Sequence, residues 1–299
     1  MDVLTIRGLS KRFGRKEVLR GLDLAIPEGS IFGFVGKNGA GKTTAMKAVL
    51  GLLPIDAGEI TVLGDRVEYG RSATCRRVGY LPDVPEFYPF MTAPEYLRLA
   101  GESLGLSHGE ITARSEELLA LVGLADEKAR IRGFSRGMKQ RLGIAQALLG
   151  RPRLLLCDEP TSALDPIGRR EILDLLRAVK NETTVLFSTH ILSDVERICT
   201  DVALLDGGRI VLAGGVEELK RHRRTEELTV EMTDAEDTDR LLAAFPDARR
   251  EDSDTLRLTG GKERILAVLG HIAEAQLSVR RIERAEPSLE ALFLEVIGK

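Results

Sequence analysis

The chain has 299 residues, 43% of them apolar and 30% charged, and a net charge of −3. That length fits a large and a small domain, and the composition is that of a globular protein with ample core. The slight acidity excludes a general attraction to nucleic acid, and no apolar run approaches the roughly 20 residues that span a bilayer. The N-terminus has no apolar signal-peptide core, so a cytosolic chain is expected. Cys75, Cys157 and Cys199 are isolated, without metal-ligand spacing, and Cys157 sits in an apolar run as a small core residue.

In chain order, residues 3–6 alternate as a strand, and Pro27-Glu28-Gly29 is a turn signal. Residues 31–35 form an apolar run that reads as a buried strand, and residues 44–53 have helical character. After a turn at Asp56-Ala57-Gly58, residues 60–63 alternate again. Residues 95–104, 109–122 and 138–149 carry helical spacing between glycines and read as a helical insertion. Two apolar strands, 154–157 and 184–188, flank a helix at 168–180, and strand-helix-strand at that length implies a parallel sheet. Lys220-Arg221-His222-Arg223-Arg224 breaks the pattern as a linker or helix end, and a solvated linker is favoured over a contact with anionic lipid or a partner. Beyond it, strand-like runs at 228–232, 255–258 and 277–282 mix with helix-like runs at 235–244, 262–275 and 288–297. About 70 residues suffice for a small α+β domain.

Between the strand at 31–35 and the following helix lies Gly36-Lys37-Asn38-Gly39-Ala40-Gly41-Lys42-Thr43, which fits G-x-x-x-x-G-K-[ST] at every fixed position. Its glycines let the backbone wrap a polyphosphate with N–H groups pointing inward, and the helix N-terminus adds partial positive charge. Lys42 would bridge the outer phosphates and Thr43 would ligate Mg2+. Leu154-Leu155-Leu156-Cys157-Asp158-Glu159-Pro160 is an apolar strand ending in two carboxylates, a Walker B pattern. The strand delivers Asp158 to the sheet edge where ligands sit, with the chemistry to hold Mg2+, and Glu159 could deprotonate an attacking water. His190 follows the strand at 184–188 on the same edge; by position alone a structural role is the commoner one. Ser135, in Phe134-Ser135-Arg136-Gly137-Met138, opens a helix either as a plain N-cap or, with Gly137, as an anion site.

The order of these motifs, completed by Ser162-Ala163-Leu164-Asp165, resembles the ATP-binding subunit of ABC transporters over residues 1 to about 218. The resemblance implies an α/β P-loop NTPase fold, an ABC-type nucleotide-binding domain at 1–218 with a helical subdomain at about 84–150. A linker at 219–227 and a small C-terminal α+β domain at 228–299 would follow. It implies ATP and Mg2+ as cofactors, with Gly36, Lys37, Asn38, Gly39, Ala40, Gly41, Lys42, Thr43 and Thr44 on the nucleotide. Phe13 falls near the position of an aromatic ring stacked on adenine. Ser135 and Gly137 fall on the signature motif, which binds the γ-phosphate of ATP held by the other protomer. Residues 162–165 fall on the loop that crosses the dimer interface, and His190 falls on the switch histidine. Thr43 and Asp158 would hold the metal, Glu159 would be the base, and Lys42 and His190 would complete the catalytic set.

Two departures stand out. The signature reads FSRGM, with Arg136 and Met138 in place of a glycine and a glutamine, a form that looks like the ABC-2 exporter branch. Asp83 stands where that family carries a glutamine and could still meet Mg2+ or its waters. Pro85-Glu86-Phe87-Tyr88-Pro89-Phe90-Met91 is either a packed surface loop or the docking place of a permease helix, where the family puts its groove. The run from Glu286-Pro287-Ser288 resembles the ending of the same branch and is equally a plain helix start. The implied partners are a separate transmembrane permease and a second copy, with a heterodimer also possible, and no nucleic acid. The implied place is the cytoplasmic face of the membrane. A soluble ABC ATPase of translation or DNA repair, and a regulatory module with a degenerate site, are the competing classes.

Overall fold

A computed structural model of the chain describes residues 1–71, 74–222, 227–284 and 288–297. Arg223 and Arg224 of the basic stretch, and Glu286 and Pro287 of the C-terminal run, lie outside the described residues. The chain divides into two units with their boundary at Val216/Glu217.

The first unit opens with a long antiparallel hairpin, β1 (Asp2–Phe13) and β2 (Lys16–Pro27), followed by β3 (Ile31–Val35) and α1 (Lys42–Val49). Next come β4 (Ala57–Val62), β5 (Asp65–Arg66), β6 (Val78–Leu81) and three helices, α2 (Ala93–Ser103), α3 (His108–Leu121) and α4 (Arg136–Leu148). It closes with β7 (Leu154–Asp158), α5 (Pro166–Ala178), β8 (Thr184–Thr189), α6 (Leu192–Ile198), β9 (Asp201–Asp206) and β10 (Arg209–Gly215). A six-stranded sheet in the order β10-β9-β3-β8-β7-β6 is parallel except at β10, and a four-stranded antiparallel sheet runs β2-β1-β4-β5. β3, β7 and β8 are buried along their whole length, as central parallel strands covered on both faces must be. Leu4, Ile6 and Leu22 of one sheet join Phe32, Phe34, Leu156 and Leu186 of the other, with Met46 of α1, in a single apolar core.

α1 is shorter than the pattern at 44–53 suggests. Leu50 caps it and Gly51 turns left-handed at φ 66°, where an added Cβ would meet the Glu68 carbonyl at 2.9 Å; Leu52 stays exposed.

After α7 (Val216–His222), the second unit contains β11 (Glu227–Met232), α8 (Ala235–Ala244), β12 (Arg249–Arg250), β13 (Thr255–Thr259), α9 (Lys262–Glu274), β14 (Val279–Arg284) and the start of α10 (Leu289–Ile297). Its strands pair antiparallel in the order β12-β13-β11-β14, a split β-α-β-β-α-β arrangement. Leu228, Val230 and Met232 alternate inward with Leu256 and Leu258, against Leu241, Phe245, Val268 and Ile272.

Candidate functional site

The C-terminal ends of β3, β7 and β8 form one edge because the three strands are parallel neighbours in register, with Val35 opposite Thr189 and Asp158 opposite Ser188. The loop after β3 is shaped by its glycines. Gly39 and Gly41 take φ 81° and 113°, and a Cβ on Gly36 would stand 2.6 Å from the Leu205 carbonyl. α1 begins directly after Gly41 and has no acidic residue in its first turn, so its positive end is free to meet an anion. Thr43 is exposed and Thr44 half-buried on that first turn.

Lys42 is buried, with its ammonium inside the loop. It donates to the carbonyl of Gly36 at 2.7 Å and of Lys37 at 3.4 Å, and lies 3.0 Å from Glu159 Oε1 as an ion pair. A buried ammonium needs such partners, because removing it from water unpaired is costly. Glu159 follows β7 with φ 47°, a left-handed conformation that is strained for a side-chain-bearing residue. That turn aims its carboxylate at both Lys42 and His190; Oε2 lies 2.9 Å from His190 Nδ1, and the imidazole itself is exposed.

Ser188, fully buried in β8, ties the pair of acids down. Its hydroxyl donates to Asp158 Oδ1 at 2.6 Å and accepts the Glu159 N–H at 3.0 Å. No sequence motif points to Ser188; the only signal is a small polar pair, Ser188-Thr189, after the apolar run Val185-Leu186-Phe187. Below it, buried Asp194 accepts from Thr161 at 2.8 Å and from Arg169 Nε at 2.6 Å, holding the loop after β7 to α5 and α6. Asp165 caps α5 by accepting the Gly168 N–H at 2.8 Å.

The donor set suits Mg2+. That ion takes few protein oxygens and keeps waters and phosphate oxygens. Here buried Asp158 has one oxygen on Ser188, and the Thr43 hydroxyl is exposed. Among the described residues there is no group of three or more His, Cys, Asp or Glu placed to hold a metal by itself.

Ser135 caps α4, accepting the Met138 N–H at 3.2 Å, and is exposed. Gly137 is open: a Cβ there would find nothing closer than 3.9 Å. Arg136 Nη2 donates to the Ser162 hydroxyl at 3.2 Å, and that hydroxyl donates to Asp83. Phe13, at the end of β1, is half-exposed, with Lys11 Nζ 5.5 Å from its ring centroid and Lys11 itself paired to Asp56 at 3.2 Å.

In the aromatic loop after β6, Phe87 packs edge-on to Tyr96 at 4.9 Å, while Tyr88 and Phe90 are exposed. A groove of about 570 Å³ runs beside it, lined by Tyr80, Tyr88, Tyr96, Leu99 and Ala100. Burial, then the nearby charges of Asp158, Cys157 and Asp83, push the Tyr80 phenol up to about 12. The Cys157 thiol is fully buried and also pushed up, an inert core group. No helix among the described residues is long and apolar enough to cross a membrane.

Two protein-family models match the chain: ABC transporter over residues 19–162, and the C-terminal domain of DrrA1-3-like ATP-binding proteins over residues 214–297. The uncharacterized ABC transporter ATP-binding protein YxlF of Bacillus subtilis (strain 168) is 36% identical over 302 residues, spanning 99% of each chain. The linearmycin resistance ATP-binding protein LnrL of the same organism is 32% identical over 99% of each chain. The bacitracin transport ATP-binding protein BcrA of Bacillus licheniformis is 32% identical over 99% of this chain and 97% of its own. A solved structure of the ATP binding subunit of an ABC transporter is 33% identical, with a TM-score of 0.67 over 74% of this chain and 92% of that one.

Proposed function

Because this chain belongs to the ATP-binding subunits of ABC transporters and is an ATPase of that family, we propose that two copies close head to tail around two ATP molecules. Each site would take its phosphate loop from one copy and Ser135 and Gly137 from the other. The observation that carries the hydrolytic part of this reading is the convergence of Lys42, Glu159 and His190 on one sheet edge, and the head-to-tail pairing rests on family membership.

Glu159 takes the proton of the attacking water, oriented by His190 Nδ1. Lys42 and the N–H groups of residues 36–44 stabilise charge on the outer phosphates, and Phe13 stacks on the base. Thr43 and Asp158 would hold Mg2+, which would supply positive charge against the negative charge that develops on the phosphates in the transition state. Asp83 Oδ1 is engaged by Ser162 and Arg136, so Asp83 would meet Mg2+ or its waters only through its other oxygen.

Closure of the pair would drive a separate transmembrane permease, docked in the groove of Tyr80, Tyr88 and Tyr96. On this reading the subunit works at the cytoplasmic face of the membrane. Export is the direction we favour, since relatives over the whole length are named for linearmycin resistance and bacitracin transport.

Glu159→Gln should lower kcat by at least about 100-fold while ATP binding stays within a few-fold. Full turnover in that variant would remove Glu159 as the base. The same variant, loaded with ATP and purified from detergent-solubilised membranes, should retain a polytopic membrane protein. Ribosomal proteins or nucleic acid in its place would sink the transporter assignment.

A further inference from the structure

We infer that Arg136 and Asp83 form one positioning unit, joined through the Ser162 hydroxyl, which holds the start of α4 against the loop after β7. In doing so it sets Ser135 and Gly137 for the γ-phosphate, and the inference rests on that reading of Ser135 and Gly137.

Three segments far apart in sequence meet here. Ser162 donates its hydroxyl proton to Asp83 Oδ1. Arg136 Nη2 donates to the same hydroxyl oxygen at 3.2 Å and stands 3.7 Å from Asp83 Oδ1. Asp83 follows β6, Arg136 is the first residue of α4, and Ser162 lies between β7 and α5. Glu86 and Lys139 line the same hollow.

The charges make sense only together. A cation at a helix N-terminus faces the positive end of the dipole, and the first turn of α4 carries no acidic residue to offset Arg136. Asp83 supplies that negative charge from another segment. Arg136 and Asp83 are also two of the three positions, with Met138, where the chain departs from the family's pattern of glycine or glutamine. One departure therefore answers the other. Because Arg136 adjoins Ser135 in the chain, the contact fixes the capping serine as well.

Steady-state ATP hydrolysis by the full chain tests this with Asp83→Gln, Arg136→Gly and the double variant. An exposed, hydrogen-bonded charge pair is worth up to about five-fold in rate. Each single variant should lower kcat about three- to five-fold with KM for ATP within about two-fold, since the phosphate loop is untouched. The double variant should lose no more than either single variant, a coupling that shrinks as salt rises from about 0.05 to about 0.5 M. Arg136→Gln, alone and with Asp83→Gln, guards against a loss of helix propensity in Arg136→Gly, and thermal melting checks folding. Losses that multiply in the double variants, singles without effect, or a coupling indifferent to salt each overturn the unit. Ser135→Ala separates the two failures. If it leaves kcat unchanged, the signature reading falls; if it lowers kcat while positions 83 and 136 do not couple, only the positioning unit falls.

Discussion

Ser188 has one hydroxyl and holds two groups with it. The proton goes to Asp158 Oδ1, and the oxygen receives the Glu159 N–H. A single atom therefore orients the Asp158 carboxylate and pins the strained backbone that aims Glu159, the two acids we propose for the metal and for the base. Alanine at this position leaves a buried N–H unpaired and one Asp158 oxygen without its donor. Ser188→Ala should cost about 1–3 kcal/mol of stability in urea unfolding and lower kcat more than it weakens ATP binding. A variant as stable and as active as the parent would show that water replaces the hydroxyl at no cost. Lys42 works under a similar constraint: two carbonyls and Glu159 surround its buried ammonium, so its charge is answered wherever it points.

Elements differ in how openly the sequence announces them. β3 and β7 are legible because their buried residues are apolar or glycine up to the Asp158 that ends β7, and the glycines and acids at their ends are local in sequence. Lys42, Asp158 and Glu159 were readable for the same reason. β2 was not, since Gly21 at φ 66° breaks the alternation of Leu22, Leu24 and Ile26 away from Val18 and Leu19 before it. Ser188 and the contact of Arg136 with Asp83 depend on which strands and loops become neighbours, and no linear pattern contains that. Helix starts fall between these cases. Thr92 with Glu95, and Ser107 with Glu110, form capping boxes that open α2 and α3. Glu95 is held below its usual range mainly by the Thr92 N–H, and Glu110 by the Ser107 hydroxyl and N–H. A carboxyl lowered by folding stabilises above its unfolded pKa, about 4.3, and loses that contribution as pH falls through the lowered folded value. Acidification should therefore fray the first turns of α2 and α3, read by NMR at the Thr92 and Ser107 amides between about pH 5 and about pH 2. Signals that stay constant over that range would rule the boxes out as acid-sensitive caps.

At the scale of the whole chain, the two units have separate cores, one built on Phe34 and Met46, the other on Val230 and Leu256. The smaller buries less of its surface and should melt first, giving two calorimetric transitions. Backbone strain is distributed across both. Among the described residues, Leu63, Arg151, Glu159, Ala163 and Gln276 adopt left-handed φ without being glycine. Gln276 follows the C-cap of α9, where glycine is the usual residue, so Gln276→Gly should raise the lower transition by a few degrees and leave ATP turnover unchanged. An unchanged or lowered transition would mean that the glutamine side chain offsets its own strain. The same conformation at Glu159 admits no such repair, because glycine there would relax the turn and delete the carboxylate we propose as the base. Durability can thus be engineered into this protein at position 276, while at 159 fragility is inseparable from the work the protein performs.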